Sequence, residues 1–297
     1  MSIRNSLAGR AAVVTGAGRG IGRAVALALG EAGAAVTVAS RTPDEVEETT
    51  AMLRGRGARG LSIAVDVTDW ESVQGLVART VHELGGVHVL VNNAGVQGPI
   101  GPLVDNDPEE WLRTVRTNLL GTFLCCKAVL PHMIQQGHGK IINLSGGGST
   151  TPRPRFSAYA TSKAGVVRFT ETLAEEVREY GIQVNAIAPG AVNTRMLEEL
   201  LDAGPAAGED TIAAALRQRD TGGTPPELAA ALVLFLASPA SDGLTGKLIS
   251  APHDRWQSWD NERIDRLMSA PWLTLRRMDP FTLRPLLDNL KDAEGRS

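Results

Sequence analysis

Residues 15–22 read Thr15-Gly16-Ala17-Gly18-Arg19-Gly20-Ile21-Gly22. This stretch follows the apolar run Ala11 to Val14, which predicts a strand, and leads into Ile21 to Ala32, which predicts a helix. A phosphate bound at such a turn meets unpaired backbone N–H groups and the positive end of the helix dipole, and glycines let it approach without a Cβ in the way. The stretch therefore predicts a pyrophosphate site.

The glycine spacing of this loop leaves two interpretations open. The glycines at 16, 20 and 22 differ from the common G-x-G-x-x-G pattern, because Arg23 stands where its third glycine belongs. A glycine turn between a strand and a helix also forms for packing alone. The loop alone does not distinguish these interpretations, so evidence for a nucleotide site must come from other motifs in the chain.

Three further motifs follow in order. Asn92-Asn93-Ala94-Gly95 comes after the apolar run Val87 to Val91, at the carboxyl end of a predicted strand, where open α/β sheets bind ligands. Tyr159 and Lys163 lie one turn apart on a predicted helix, and Pro189-Gly190-Ala191-Val192-Asn193-Thr194 follows another predicted strand. With T-G-x-x-x-G-x-G, N-N-A-G, Y-x-x-x-K and P-G-x-x-x-T in this order, the chain resembles the short-chain dehydrogenase/reductase family over about residues 7–250.

The alternation of strand-like and helical segments predicts the fold. Seven strands with helical crossovers favour an α/β fold, a single Rossmann-like doubly wound domain with a seven-stranded parallel sheet flanked by helices. The predicted strands are Ala11–Thr15, Val36–Ser40, Leu61–Val65, Val87–Asn92, Lys140–Leu144, Gln183–Ala188 and Lys247–Ser250. We expect residues 1–250 to form this dinucleotide-binding and catalytic domain.

Residues 251–297 have a different character and are expected to form a C-terminal extension. They carry Trp256, Trp259 and Trp272 with many charges between them. Because aromatic side chains bury large areas, we expect them to anchor the extension on the core or on a neighbouring subunit. Contact with the substrate is the alternative.

Composition and charge exclude several classes of partner. The 297 residues carry a formal net charge of −3 with no basic stripe, so no nucleic-acid partner is expected. No apolar run reaches the roughly 18 residues that cross a bilayer, so we expect no membrane partner and a cytoplasmic protein. Cys125 and Cys126 are adjacent, which argues against a structural disulfide and against a metal site.

Tyr159 and Lys163 are the candidates for proton transfer, on a helix predicted over 157–180. A tyrosine with a pKa of about 10 is a poor base at neutral pH, and a neighbouring cation lowers that pKa. Lys163 supplies such a cation, so Tyr159 is predicted as the general acid/base for a carbonyl or alcohol oxygen. A helix surface pair is the alternative. The resemblance implies in addition that Asn118 holds a water linking Lys163 to solvent.

The serine that the resemblance implies, thirteen residues before the tyrosine, is replaced by Gly146. Ser145 follows the predicted strand directly, so sheet packing would fix its hydroxyl, whereas three glycines separate Ser149 from the strand. We therefore predict Ser145 as the active-site hydroxyl, with Ser149 as the alternative. Arg153 and Arg155, on the loop that follows, are interpreted as solvated charges, with contact to an acidic substrate as the alternative.

The end of the second strand predicts which dinucleotide binds. An acidic residue there would bind ribose hydroxyls and repel a 2′-phosphate, but Ser40 takes that place. Arg41 follows it and Arg19 lies in the glycine loop, so the two guanidinium groups are placed to bracket a phosphate; mere exposure of both is the alternative. We predict NADP(H) in preference to NAD(H). The predicted cofactor-binding residues are Gly16, Arg19, Gly20, Ile21, Gly22, Ser40, Arg41, Asp66, Val67, Asn93, Ala94, Gly95, Tyr159, Lys163, Pro189, Gly190, Val192 and Thr194.

These residues predict an NADP(H)-dependent oxidoreductase, without a metal, that moves a hydride between nicotinamide and a small-molecule carbonyl or secondary alcohol. A nucleotide-binding regulator or scaffold without turnover is the alternative, and Gly146 is the departure that favours it. A sugar-nucleotide epimerase or dehydratase would need a larger separate substrate domain than the residues after Ser250 provide.

The resemblance also implies an assembly and a lid. Helices that begin near Asp107 and Ser157 pair across a two-fold axis in the family, so a homodimer or homotetramer is expected. The residues expected at or near that contact are Val166, Phe169 and Leu173. The segment Leu201 to Gly223 corresponds to the region that is commonly the substrate lid, and we expect it to be mobile.

Overall fold

A computed structural model describes residues 5–277 of the chain. Its strands are β1 (Ala11–Thr15), β2 (Ala35–Ser40), β3 (Gly60–Ala64), β4 (Val89–Asn92), β5 (Gly139–Leu144), β6 (Ile182–Ala188) and β7 (Leu248–Ser250). They form one parallel sheet in the order β3-β2-β1-β4-β5-β6-β7. The predicted strands are confirmed, each to within two residues at either end.

Helices cover both faces of the sheet. They are α1 (Gly20–Glu31), α2 (Pro43–Gly55), α3 (Trp70–Leu84), α4 (Pro108–Val115), α5 (Gly121–Gln136), α6 (Ser157–Glu176), α7 (Arg195–Asp202), α8 (Glu209–Thr221), α9 (Pro226–Ala237) and α10 (Asn261–Met268). Apolar residues of α1, α2, α9 and α10 form a core on one face, and those of α3, α5 and α6 form a core on the other. The predicted doubly wound α/β fold is confirmed.

The central strands explain why the sequence gives a parallel sheet. All residues of β1, β4 and β5 are buried, so these strands show continuous burial rather than an inside–outside alternation. The chain order reverses between β1 and β4, and the carboxyl ends of all seven strands lie at the same edge. A crevice at that reversal is where open α/β sheets bind ligands.

The two helices of the catalytic region depart from a simple helical pattern. The predicted helix over 157–180 ends at Glu176 and continues as a 3₁₀ turn, Arg178–Tyr180, before Gly181 at φ 68°. Between α4 and α5 the chain forms one turn of π-helix, Arg116–Leu120. Such turns occur at functional sites because they shift side chains relative to the flanking α-helix.

The segment predicted as a lid is helical. It contains the end of α7, a 3₁₀ turn at Gly204–Ala207, and α8. Ala207 and Ala215 of this segment pack in one cluster with Phe156 and Tyr159. The segment therefore covers the region of the predicted catalytic tyrosine.

Residues 251–277 of the C-terminal extension lie against the rest of the chain. Trp256 is 5% exposed and packs on Phe235 with ring centroids 5.8 Å apart. Trp259 and Trp272 pack against the same core. The backbone N–H of Leu248 donates to the carbonyl of Leu273, so the extension also runs beside β7. Residues 278–297 lie outside the described part.

Within residues 5–277, no helix is both long and apolar enough to span a bilayer. In the same part of the chain, no group of three or more His, Cys, Asp or Glu side chains is arranged to hold a metal ion. Cys125 and Cys126 are free thiols inside α5, and burial raises the pKa of Cys125 to about 12.

Candidate active site

The loop between β1 and α1 requires its glycines. Gly16 and Gly20 have φ values of 62° and 53°, and a Cβ built on Gly22 would lie 2.2 Å from the carbonyl oxygen of Gly16. Arg19, at the N-cap of α1, makes no side-chain cap, so the helix has no side chain satisfying its first N–H groups. The loop is therefore shaped to receive an anion at the helix N-terminus.

A cavity of about 1220 Å³ runs from this loop along the carboxyl ends of β2, β3 and β4 to α7. It brings together most of the residues predicted to bind the cofactor. Those that line it are Gly16, Arg19, Gly20, Ile21, Gly22, Ser40, Arg41, Asp66, Val67, Asn93, Ala94, Gly95 and Thr194. Its size and its place at the chain reversal fit an extended ligand with several parts.

Five predicted cofactor residues do not line this cavity. Pro189, Gly190 and Val192 lie outside its lining: a Cβ on Gly190 would lie 2.7 Å from Thr224 Oγ1, and Val192 bridges to Gly223. Tyr159 and Lys163 lie beside the cavity. A Cβ built on the lining residue Gly95 would be 3.5 Å from Lys163 Nζ.

Asn93 ties the floor of the cavity to the glycine loop. Its Nδ2 donates to the carbonyls of Gly16 at 2.9 Å and Thr15 at 3.0 Å. The Thr15 hydroxyl accepts from the backbone N–H groups of Asn93 and Ala94, each at 3.1 Å. These bonds fix the ends of β1 and β4 relative to each other.

The corner at the end of β2 contains a carboxylate that the sequence analysis missed. Glu45, at the start of α2, pairs with Arg19 at 2.9 Å, and its side chain lies close to Gly18. Arg41 is exposed on the cavity wall and has no ion pair within the described residues. Ser40 Oγ is buried without a hydrogen-bond partner in that part of the chain. Of the two arginines predicted to bracket a phosphate, only Arg41 is unpaired.

Tyr159 and Lys163 are both buried on the inner face of α6. Lys163 Nζ lies 5.7 Å from the centroid of the Tyr159 ring and donates to the carbonyl of Leu144 at 2.8 Å. Burial lowers the pKa of Lys163 to about 8 and raises the pKa of Tyr159. Burial thus moves the two pKa values apart and places that of the Lys163 ammonium below that of the Tyr159 phenol, the reverse of their usual order.

Arg153 is a second cation beside the tyrosine. Its guanidinium carbon lies 3.9 Å from the ring centroid of Phe156 and 5.6 Å from that of Tyr159. Its charge opposes the rise that burial causes in the pKa of Tyr159. The interpretation of Arg153 as a solvated loop charge is wrong for this geometry, because the guanidinium stacks on a fully buried ring. Only the folded path of the loop reveals this contact.

Asn118 lies in the π-helical turn and is fully buried. Its Oδ1 accepts from the N–H of Val96 at 2.8 Å, and its Nδ2 donates to the Val96 carbonyl and to Ser162 Oγ, both at 2.9 Å. The side chain thus clamps the backbone that follows Gly95 onto α6. A Cβ built on Gly95 would lie 3.1 Å from Asn118 Oδ1 and 3.5 Å from Lys163 Nζ, so both side chains border Gly95. The water that Asn118 is expected to hold remains a prediction.

The structure separates the candidates for the active-site hydroxyl. A Cβ built on Gly146 would lie 2.5 Å from the phenol oxygen of Tyr159, so position 146 faces the phenol. Ser145 is buried, and its hydroxyl donates to the carbonyl of Lys163 at 3.3 Å. Ser149, also buried, closes a turn through its N–H to the Gly146 carbonyl. The structure does not bring Ser145 Oγ to Tyr159, and a role for Ser145 remains a prediction.

Fold and site together define an α/β oxidoreductase, and the comparisons with known proteins give its family. A family model described as short chain dehydrogenase matches residues 10–204. The chain therefore belongs to the short-chain dehydrogenase/reductase family, whose members oxidise CH–OH groups or reduce carbonyls.

Relatives and solved structures agree with this family. The short chain dehydrogenase/reductase astE of Aspergillus oryzae is 39% identical over 82% of this chain and 94% of its own length. A cis-4-hydroxycyclohexanecarboxylate dehydrogenase of Sinomonas cyclohexanicum is 38% identical over 82% of this chain and 96% of its own length. The structure of an NAD⁺-bound xylitol dehydrogenase superposes with a TM-score of 0.77 at 31% identity, covering 82% of this chain and 98% of that one.

Proposed function

We propose that this protein is an NADP(H)-dependent oxidoreductase that interconverts a carbonyl and a secondary alcohol, with Tyr159 as the general acid/base. The observation that carries the proposal is the position of the Tyr159 phenol, whose oxygen lies directly against Gly146 and whose ring is flanked by the cations Lys163 and Arg153. A phenol in that setting can give a proton to a carbonyl oxygen or take one from an alcohol.

The cavity fits a nicotinamide dinucleotide. The glycine loop leaves no room for a Cβ at Gly22 and presents the uncapped start of α1 to a pyrophosphate. The buried Ser40 hydroxyl, without a partner in residues 5–277, is a donor for the ribose at the other end of the same wall. When bound, the cofactor would supply or accept the hydride.

Each residue around Tyr159 has a separate role in the proton transfer. In the reducing direction Tyr159 donates its proton to the developing alkoxide, and Arg153 and Lys163 stabilise the phenolate that remains. Asn118 contributes by holding the Val96 backbone, so that Gly95 and Lys163 keep their spacing. Ser145 has a positioning role: its bond to the Lys163 carbonyl and the bond from Lys163 Nζ to Leu144 fasten α6 to the end of β5.

The preference for NADP(H) rests on Ser40 and Arg41. The last residue of β2 is Ser40 instead of a carboxylate, and Arg41 offers a guanidinium without an ion pair in residues 5–277 to a 2′-phosphate. Glu45 works against this preference, because its charge lies at the same corner and already engages Arg19. We therefore expect Arg41 to favour NADP(H) over NAD(H) and the negative charge of Glu45 to weaken that preference.

We propose a homodimer or homotetramer that uses the outer face of α5 and α6. Val166 and Leu173 are buried within the chain, so they are not available to a partner, contrary to expectation. Phe123 is 40% exposed and packs edge-on against Phe169, with centroids 6.2 Å apart. Light scattering at micromolar concentration tests the assembly, and a monomer would contradict it.

The test of the proposed function is the oxidation of reduced nicotinamide, followed by absorbance, with both cofactors and a panel of cyclic and linear ketones. Wild-type protein should turn over at least one class, and Tyr159→Phe should lose more than about 99% of that rate while cofactor binding is kept. Retention of more than a few per cent of the rate would show that another group transfers the proton.

A further inference from the structure

The guanidinium of Arg153 is held rigidly at the reactive end of the site. It stacks at 3.9 Å on the ring of Phe156, which is fully buried, and its carbon lies 5.6 Å from the Tyr159 ring. Stacking on an immobile ring fixes the plane of the guanidinium and the direction of its N–H donors. Arg153 is therefore preorganised in a way that a flexible surface arginine is not.

The glycines at 146–148 make room for this arrangement. A Cβ on Gly148 would lie 3.1 Å from the Cβ of Arg153 and 2.8 Å from that of Ala160. At Gly147 the nearest atom to such a Cβ is Arg153 Nη1, at 3.9 Å, so the guanidinium lies along the loop. The replacement of the family's serine by Gly146 belongs to the same glycine run. The glycine run and Arg153 thus form one structural unit.

The charge of Arg153 has no counter-ion in the described part of the chain. Within residues 5–277 its guanidinium makes neither an ion pair nor a hydrogen bond, whereas Arg155 on the same loop donates to the carbonyl of Ala206 at 2.9 Å. Burial lowers the pKa of Arg153. A half-buried, unpaired cation is unfavourable, and an anion bound beside it would satisfy its donors.

We propose that Arg153 binds a carboxylate of the substrate, so that the protein acts on hydroxy acids and oxo acids whose carboxylate lies a few bonds from the reacting carbon. The planar fork of an arginine matches a carboxylate in two parallel hydrogen bonds. The distance from Arg153 to the Tyr159 ring requires the two ends of the substrate to be close together. This inference rests on the proposed function, because the same molecule must reach Tyr159.

The test compares each acid with its neutral ester. The probes are 4-oxocyclohexanecarboxylate and acetoacetate, each beside its methyl ester, with wild type, Arg153→Gln, Arg153→Lys and the loop control Arg155→Gln. In wild type the acids should have the higher kcat/KM. Arg153→Gln should lower kcat/KM for the acids by about 10- to 100-fold relative to the esters, the ratio expected for one lost charged hydrogen-bond pair. Arg153→Lys should recover part of it, and Arg155→Gln should change acid and ester equally.

Binding of cyclohexanecarboxylate, measured by calorimetry on each folded variant, separates the possible failures. Folding is checked by the melting temperature and by cofactor binding. If neutral ketones are reduced but acids have no Arg153-dependent advantage, the inference is wrong and the proposed function stands. If no ketone is reduced while the carboxylate binds in an Arg153-dependent way, the proposed function fails and the anion site stands. Absence of both would overturn both.

Discussion

The phenol oxygen of Tyr159 occupies the space that a side chain at Gly146 would need, since a Cβ there would lie only 2.5 Å from it. Any side chain at this position therefore has to displace the tyrosine or the loop. We predict that Gly146→Ala lowers kcat by about 10- to 100-fold and destabilises the fold by about 1–3 kcal/mol, as overpacking does. Turnover rates and denaturant unfolding measure the two effects.

The matched control and a second variant make this prediction specific. Gly147→Ala should change little, because the nearest atom to its Cβ would be 3.9 Å away. Gly146→Ser adds the same Cβ but places a hydroxyl beside the phenol, so it should be more active than Gly146→Ala. Equal rates for wild type and Gly146→Ala would mean that the position of the phenol does not depend on the missing side chain at position 146.

Lys163 should reduce stability at neutral pH. Its pKa falls from 10.5 to about 8 on burial, so the folded protein binds this proton less tightly than the unfolded chain does. The resulting cost is complete below about pH 8 and vanishes above about pH 10.5, which corresponds to about 3 kcal/mol at pH 7. A substitution that removes the ammonium would remove this cost, but it would also lose the hydrogen bond to the Leu144 carbonyl, which contributes about 1 kcal/mol.

We therefore predict that Lys163→Met, which removes the charge, is inactive yet unfolds at higher denaturant concentration than wild type at pH 7. The gain should shrink as the pH rises from about 8 to 10.5. Urea titrations at several pH values measure it. A variant that is less stable than wild type at pH 7, with a difference that does not change with pH, would contradict the shifted pKa.

The motifs of the sequence were sufficient to predict the sheet and most of the predicted residues that line the cavity, because both depend on local patterns. Strands buried on both faces appear as apolar runs, and the glycine loop and Asn93 mark their carboxyl ends. The Tyr159–Lys163 pair could be placed for the same reason, since one helical turn fixes their common face.

Contacts between distant segments could not be predicted in this way. Glu45 reaches Arg19 across the loop only because α2 packs beside it, and Arg153 meets Phe156 through the particular path of the 146–155 loop. The prediction of Ser145 depends on its place at the end of β5, where its side chain is buried. Successive residues of an extended chain, however, point to opposite sides. The hydroxyl of Ser145 therefore donates to the Lys163 carbonyl, and Gly146 faces the phenol.

Cofactor choice should respond to Arg41 and Glu45 in opposite directions. Arg41→Asp should move the ratio of the Kd values for NADP(H) and NAD(H) toward NAD(H) by about 10-fold or more, because it reverses the charge facing a 2′-phosphate. Glu45→Gln should move it toward NADP(H), because it frees Arg19 and removes a negative charge. Fluorescence titration with both cofactors measures the ratio, and unchanged ratios in both variants would place the discriminating contact elsewhere.

Ser145 and Ser149 provide the last prediction. Ser145→Ala removes the hydroxyl that donates to the Lys163 carbonyl at 3.3 Å, so Lys163 loses one of the two bonds that hold it against β5. We expect a fall in kcat of about 10-fold, rescued by Ser145→Thr, and little change in Ser149→Ala. A fall of about 10² or more, the size typical for a lost oxyanion donor, would mean that Ser145 turns to the substrate during the reaction and acts on it directly. If Ser149→Ala instead lowered kcat more than Ser145→Ala, the active-site hydroxyl would be assigned to Ser149. A serine whose backbone only closes a glycine turn would not affect the rate in this way.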